Sequence, residues 1–136
     1  KRKATKMASR DHIEESLHCL IVNVLVDAYE RQGYEVKADH VGSLRAVPNS
    51  TGSHVPDIVA TRGSEVYIIE VETQSTIDDP ETQQQLKEFA DAAPTRVYLA
   101  VPFECLEAAR KLRHDLDIDF DILPCYPFVR YVGVPR

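Results

Sequence analysis

The segment HVPDIVATRGSEVYIIEVE, residues 54–72, decides the fold of this chain. It holds two runs rich in Val, Ile and Tyr, at residues 56–61 and 65–73, on either side of Arg62, Gly63 and Ser64. Such runs around a short glycine-containing spacer predict a β-hairpin. If Gly63 and Ser64 form a two-residue type II′ turn, with glycine where φ must be positive, the numbers of facing residues sum to 127. A turn of three or four residues is the alternative, and it would break this pairing.

The predicted register places like charges opposite each other. Asp57 faces Glu70, and Glu72 shares their face because side chains alternate along a strand. Toward the turn the same face is apolar, with Val59 opposite Ile68. Carboxylates directly opposite each other destabilise a sheet, so we expect a compensating group, and a hard divalent cation on oxygen ligands is the natural one. The alternative is that Glu72 is solvated at a strand end and that Asp57 and Glu70 never meet.

The flanking sequence predicts a single domain of alternating helices and strands. Apolar residues at helical spacing and capping residues indicate three helices, and short apolar runs indicate further strands. The second helix carries Leu86, Phe89 and Ala93 on one face. The predicted elements are a helix at 9–32, strands near 34–38 and 42–47, a loop at 48–54, a helix from Pro80 to Pro94, a strand at 96–101, a helix at 104–116 and a strand at 118–123.

The motifs HVPDIVA (54–60) and IIEVE (68–72) resemble those of the PD-(D/E)XK nuclease superfamily. The resemblance is nearest to the archaeal Holliday junction resolvase and RecB-like branch, in which a helix ending in Gly-aromatic, here Gly33-Tyr34, and a Ser/Gly-rich loop, here residues 49–53, precede the Pro-Asp hairpin. It implies an α/β fold with a restriction endonuclease-like αβββαβ core, a mixed central sheet flanked by helices. The function it implies is a metal-dependent DNA endonuclease that hydrolyses phosphodiester bonds, with structure-specific, resolvase-like cleavage as one form.

The same resemblance assigns roles to the hairpin acids. Asp57, Glu70 and the backbone carbonyl of Val71 would bind Mg²⁺ or Mn²⁺, and Asp57, Glu70 and Glu72 would be the catalytic residues. Glu72 stands where most members have lysine, which orients the attacking water and stabilises negative charge. A carboxylate offers no cation, so Glu72 would act as a general base or hold a second metal ion.

Accessory roles have open alternatives. Lys87 or Lys37 is a candidate replacement for the missing lysine, although lysines more often sit in solvent. Glu15 is a candidate first-helix glutamate, or simply part of a charged helix start. Gln85 fits a Q-x-x-x-aromatic spacing, but the two glutamines before it compete. Ser53 is a candidate phosphate contact, although turn chemistry explains it equally well.

The bulk charge of the 136-residue chain, −6 with a pI near 5.3, is unevenly distributed. Residues 1–10 hold five basic residues and no acid, which leaves −11 for the rest. We expect residues 1–8 to be a basic arm, either a nucleic-acid contact or a disordered or non-native segment, and residues 9–136 to form one nuclease-like domain. No apolar run is long enough to span a bilayer, and no secretory signal is evident, so the expected location is cytoplasmic.

The expected partners are DNA and, by the resemblance, a second copy of the chain, because resolvase-like members are commonly dimers. Three widely spaced cysteines and five histidines form no C-x-x-C or H-x-x-x-H pair, so we expect no zinc site and no disulfide. Three functional hypotheses remain. The first is the endonuclease, the second a catalytically inactive PD-(D/E)XK-fold module for DNA binding or dimerisation, and the third an unrelated α/β protein with an incidental acidic ribbon.

Overall fold

The computed structural model describes residues 11–39 and 45–126. The basic arm at 1–8, most of the strand expected at 42–47 and the C-terminal residues 127–136 lie outside this part of the chain. Residues 45–47 belong to no strand, so that part of the prediction is wrong. The observed elements are α1 (His12–Arg31), β1 (Glu35–Ala38), β2 (Ile58–Arg62), β3 (Glu65–Val71), α2 (Pro80–Asp91), β4 (Arg96–Pro102), α3 (Leu106–Leu116) and β5 (Asp121–Cys125).

The five strands form one mixed sheet in the order β1-β2-β3-β4-β5. The first three strands pair antiparallel, whereas β4 and β5 run parallel to β3. Parallel neighbours need a crossover connection, and α2 and α3 supply the two crossovers. The expected mixed sheet flanked by helices is therefore confirmed.

The hairpin of β2 and β3 has the predicted register. Ile58 pairs with Ile69 and Arg62 with Glu65, so the turn contains two residues, Gly63 and Ser64. Gly63 has φ +60°, a conformation that costs glycine little, and this fixes the short turn. The turn thereby sets which side chains of the two strands share a face.

Helix α1 covers one face of the sheet. Asp11 caps its N-terminus by accepting a hydrogen bond from the Glu14 N–H, a role for which aspartate is well suited. Ile13, an apolar residue in the first turn of α1, is 79% exposed and lies outside the core. The buried residues of this layer are Ile21, Val22 and Val26 from α1 and Tyr34, Val36, Ala38, Ile58, Ala60, Ile69, Val71 and Ala100 from the sheet and its margin.

Helices α2 and α3 cover the opposite face. Asp79 caps α2 through the Glu81 N–H, and Pro80 occupies the first helical turn, where its missing N–H has no cost. Leu86 and Phe89 are fully buried as predicted, but Ala93 lies beyond the end of α2 and is exposed. No helix in the described ranges is both long enough and apolar enough to cross a membrane.

Candidate metal centre

Three carboxylic acids lie in the protein interior at the end of the hairpin that is remote from its turn. Asp57 directly precedes β2, Glu70 is the penultimate residue of β3, and Glu72 directly follows β3. Each of the three is 0% exposed to solvent. Carboxylates at such depth are rare unless they are paired or coordinate a metal ion.

Two reciprocal hydrogen bonds hold Asp57 and Glu70 together. The Asp57 N–H donates to Glu70 Oε1 at 3.2 Å, and the Val71 N–H donates to Asp57 Oδ2 at 2.9 Å. Each carboxylate is therefore fixed by a backbone amide of the facing strand segment. The predicted meeting of Asp57 and Glu70 is thus observed, and the backbone of Val71 lies beside them.

His18 of α1 reaches the same carboxylate from the neighbouring layer. Its Nε2 lies 3.4 Å from Asp57 Oδ2, and the residue is 3% exposed. Sequence reasoning missed this residue. The available signal was a histidine three and four residues before Ile21 and Val22, which places it on the buried face of α1.

Glu14 anchors the turn that follows Glu72. Its Oε1 accepts hydrogen bonds from the Thr73 hydroxyl at 2.7 Å, the Ser75 N–H at 3.1 Å and the Ser75 hydroxyl at 2.7 Å. Glu14 belongs to the acidic first turn of α1, and its side chain also holds the chain where it leaves β3. No sequence pattern indicated this contact across 59 positions.

The loop before Asp57 is bound to α2 through Glu88. The Ser53 N–H and hydroxyl donate to the Glu88 carboxylate at 2.9 Å and 3.0 Å, and His54 Nδ1 lies 2.8 Å from Glu88 Oε1. A Cβ on Gly52 would clash with the same carboxylate. The hydrogen bond from His54, followed by those from Ser53, lowers the pKa of Glu88. The donors of Ser53, considered as phosphate contacts, therefore serve an anionic side chain instead.

The other accessory candidates lie in different environments, and some of them are exposed to solvent. Of the three consecutive glutamines in α2, Gln85 alone is buried, and its Oε1 has no hydrogen-bond partner among the described residues. Lys87 is exposed on α2. Lys37 pairs with Val59 across β1 and β2 and is half-buried. Glu15 lies on α1 beside His18 rather than among the three buried acids.

The donor set at the hairpin end fits a hard cation. Asp57, Glu70 and Glu72 offer carboxylate oxygens, and the carbonyl of Val71 is of the same chemical type. Mg²⁺ and Mn²⁺ favour oxygen donors of this kind, and one or two carboxylates with water suffice for Mg²⁺. The residues present therefore suit the metal that the sequence suggests.

The mixed sheet between α1 and the pair α2 and α3, with buried acids where the antiparallel hairpin meets the parallel strands, defines a restriction endonuclease-like protein. The family model REase_AHJR-like matches residues 9–104, and the chain belongs to this family. It is therefore a member of the PD-(D/E)XK-type nuclease superfamily.

Other comparisons add little. No curated protein matches the sequence. A crystal structure described as a protein of unknown function, AF1548, is similar with a TM-score of 0.41 and 14% sequence identity. The match covers 84% of this chain and 54% of that one, so the chain spans about half the length of that protein.

Proposed function

We propose that the protein is a metal-dependent DNA endonuclease that hydrolyses phosphodiester bonds, with branched DNA among its substrates. The observation that carries the proposal is the burial of Asp57, Glu70 and Glu72, each without solvent exposure, at one end of a short hairpin. So much negative charge in one place is unfavourable for stability alone. Membership of a restriction endonuclease-like family supports the same chemistry.

Asp57 and Glu70, with the backbone carbonyl of Val71, would hold Mg²⁺ or Mn²⁺. When bound, such an ion polarises the scissile phosphate and lowers the pKa of a water molecule. The chain itself supplies the geometry. The Val71 N–H and the Asp57 N–H each fix one carboxylate, so neither side chain has to be ordered at the moment of reaction.

Glu72 takes the role of general base in this proposal. As a carboxylate it accepts a proton from the attacking water, which lysine, in its charged form, does not do. The anchoring of the following turn by Glu14 supports the role, because it fixes the backbone immediately after Glu72. Val71 and Thr73, the residues on either side of Glu72, are therefore both held by hydrogen bonds.

We propose that Lys37 supplies the positive charge that most members of the superfamily provide with a lysine at the position of Glu72. Lys37 pairs directly with Val59, and Asp57 lies two residues before Val59, just ahead of β2, so Lys37 and Asp57 are diagonal neighbours on one face. Diagonal side chains of paired strands are roughly 7–8 Å apart, within the reach of a lysine. Lys87, by contrast, is exposed on α2. A cation near the reacting phosphate stabilises the charge that develops there.

Cleavage of defined DNA substrates tests the proposal. The purified protein is incubated with supercoiled, branched and single-stranded DNA in the presence of Mg²⁺, Mn²⁺ or EDTA. We expect nicking with a divalent cation, none with EDTA, and none by Asp57→Asn or Glu70→Gln. Arg62→Gln, at the turn end of the same hairpin, is the matched control and should cleave like the wild type.

One observation favours a second function. Glu72 stands where most members of the superfamily have lysine, and the loss of that cation suits a non-catalytic module that binds DNA or a second copy of itself. Such a module would shift DNA in a gel yet leave every substrate intact with either metal. The same experiment therefore distinguishes the two functions.

A further inference from the structure

A second cluster of metal-ligating side chains lies on α1. Within the described ranges, one ligand atom each from Glu15, His18 and Cys19 lies within 4.8 Å of the others. Residues three and four apart are neighbours on a helix surface, which is why Glu15 can approach both of the others. The set offers one oxygen, one nitrogen and one sulfur donor. That mixture is unlike the all-oxygen centre at the hairpin.

The two ring nitrogens of His18 have different surroundings. Nε2 faces Asp57 Oδ2 at 3.4 Å, whereas Nδ1 is buried and has no hydrogen-bond partner in the part of the chain that the structure describes. An unsatisfied buried polar atom is costly and calls for a ligand. Histidines that bind metal with one nitrogen commonly face a carboxylate with the other, which fixes the tautomer and the ring orientation. His18 already has the carboxylate half of that arrangement.

The three cysteines of the chain differ in their suitability as ligands. Burial raises the pKa of the Cys105 thiol and of the Cys125 thiol to about 11 in each case, which makes their thiolates harder to form. Metal ions bind the thiolate. Cys19 is half-buried, and its Sγ lies 3.7 Å from Glu15 Oε2, the neighbouring oxygen donor of the cluster. Cys19 is thus the cysteine placed among other ligands.

We propose that Glu15, His18 and Cys19 form a binding site for a zinc-class divalent ion, separate from the oxygen centre of the hairpin. Zn²⁺ accepts this combination of donors, and three protein ligands with one water complete its usual tetrahedron. The expectation of no zinc rested on missing C-x-x-C and H-x-x-x-H pairs. A site built from one helical turn, with the spacing E-x-x-H-C, escapes that criterion. Binding at Nδ1 leaves the proton on Nε2, where it faces Asp57.

Cobalt spectroscopy tests the site on the whole chain. Co²⁺ replaces Zn²⁺ in such sites, and a bound thiolate gives an intense charge-transfer absorption. We expect this band in the wild type, in Cys125→Ser as the matched cysteine control, and in Glu70→Gln, which alters only the hairpin centre. Cys19→Ser should lack the band. Zn²⁺, added last, should abolish it in the wild type by displacing Co²⁺.

A Zn²⁺ competition titration with a chromogenic chelator gives the affinity. Glu15→Gln and Cys19→Ser should each weaken Zn²⁺ binding by more than the roughly 10- to 100-fold that loss of an outer-shell partner costs. Glu15 is partly exposed, so its variant should fold even if changes nearer the core do not. A wild type without the band, a band that persists in Cys19→Ser, or one that disappears in Glu70→Gln would overturn the proposal.

Discussion

The two ends of the β2–β3 hairpin differ in the charges that face each other across the strands. At the turn, Arg62 lies directly opposite Glu65, and the two form an ion pair of 3.3 Å with both side chains over 40% exposed. At the other end, Asp57 and Glu70 have the same charge, bond to each other's backbone segment and have no exposure. The same two strands therefore follow the rule for cross-strand charges at one end and violate it at the other.

This difference distinguishes the interactions that fold the hairpin from the residues that serve its function. An exposed ion pair contributes only about 0–1 kcal/mol, and the register rests on the turn and the apolar pairs. Arg62 also donates to the Gln32 carbonyl at 2.8 Å and lies over the Tyr34 ring, so the turn end carries ordinary stabilising contacts. At the other end, carboxylates that face each other in the interior cost stability unless another group compensates them. A fold that keeps them there has another use for them, which in our proposal is divalent metal binding. Changes at one end of the hairpin with matched changes at the other test this separation.

The largest effect is expected on DNA cleavage. Asp57→Asn and Glu70→Gln remove the negative charge but keep an oxygen that accepts the backbone hydrogen bond, so the fold should persist. Cleavage should fall at least ~10³-fold, because charge stabilisation by a metal ion contributes several kcal/mol to the barrier. Initial nicking rates with Mg²⁺ measure the effect. Arg62→Gln should keep the wild-type rate, and an equal loss there would remove the contrast between the two ends.

A smaller effect on cleavage is expected at Lys37. Lys37→Gln should reduce the rate by about 10²-fold, the usual cost of one group that stabilises developing charge. Lys87→Gln is the matched control, because the residue has the same charge but is exposed on α2. Single-turnover rates of DNA cleavage by the wild type and both variants measure the effect. Equal rates for Lys37→Gln and the wild type would exclude Lys37 as the cation.

The acids should also lower stability when no metal is bound. In EDTA, Glu70→Gln should be more stable than the wild type by about 1 kcal/mol, because it relieves the repulsion between opposed carboxylates. Arg62→Gln should be destabilised instead, because it loses the ion pair with Glu65, the hydrogen bond to the Gln32 carbonyl and the contact with the Tyr34 ring. Urea unfolding measures both. If Glu70→Gln is less stable than the wild type in EDTA, the buried Glu70 side chain stabilises the fold.

The smallest effect concerns the anchor of the loop before Asp57. The hydrogen bond from His54 lowers the pKa of Glu88 below its ordinary value of 4.5. A carboxyl whose pKa is lowered in the folded state stabilises the protein fully above the unfolded-state value, and this contribution disappears as the pH falls through the lowered pKa. Glu88→Gln should therefore lose stability near neutral pH and show a flatter decline in acid.

Unfolding by urea from neutral pH down to about pH 3 gives the comparison. The matched control is Glu107→Gln, since Glu107 is in an ion pair with Arg110 and its side chain is 85% exposed. Its profile should follow that of the wild type. Parallel profiles for Glu88→Gln and the wild type would show that the anchor contributes nothing to stability.

The sequence predicted the hairpin and the meeting of Asp57 with Glu70 because both depend on local rules. A glycine with positive φ sets the turn, and the alternation of side chains carries the register outward to Asp57. These rules act over a few residues. The starts of α1 and α2 follow a local rule of the same kind, since in each an aspartate accepts a nearby backbone N–H.

The surroundings of the site were not predictable in the same way. His18 contacts Asp57 across 39 positions, and His54 contacts Glu88 across 34. No periodicity records such pairs, because they arise from the packing of one layer on another. The serine-rich loop illustrates the consequence: composition suggested a phosphate contact at Ser53, but the packed structure gives its donors to Glu88.

The most direct test of the central claim is calorimetric titration of the protein with Mg²⁺, an ion that a site containing a thiolate does not favour. We expect Mg²⁺ to bind to the wild type and to Arg62→Gln, and binding to be lost in Asp57→Asn and Glu70→Gln. Mg²⁺ binding that is equal in Glu70→Gln and the wild type would contradict the claim that the buried acids of the hairpin exist to hold a metal ion.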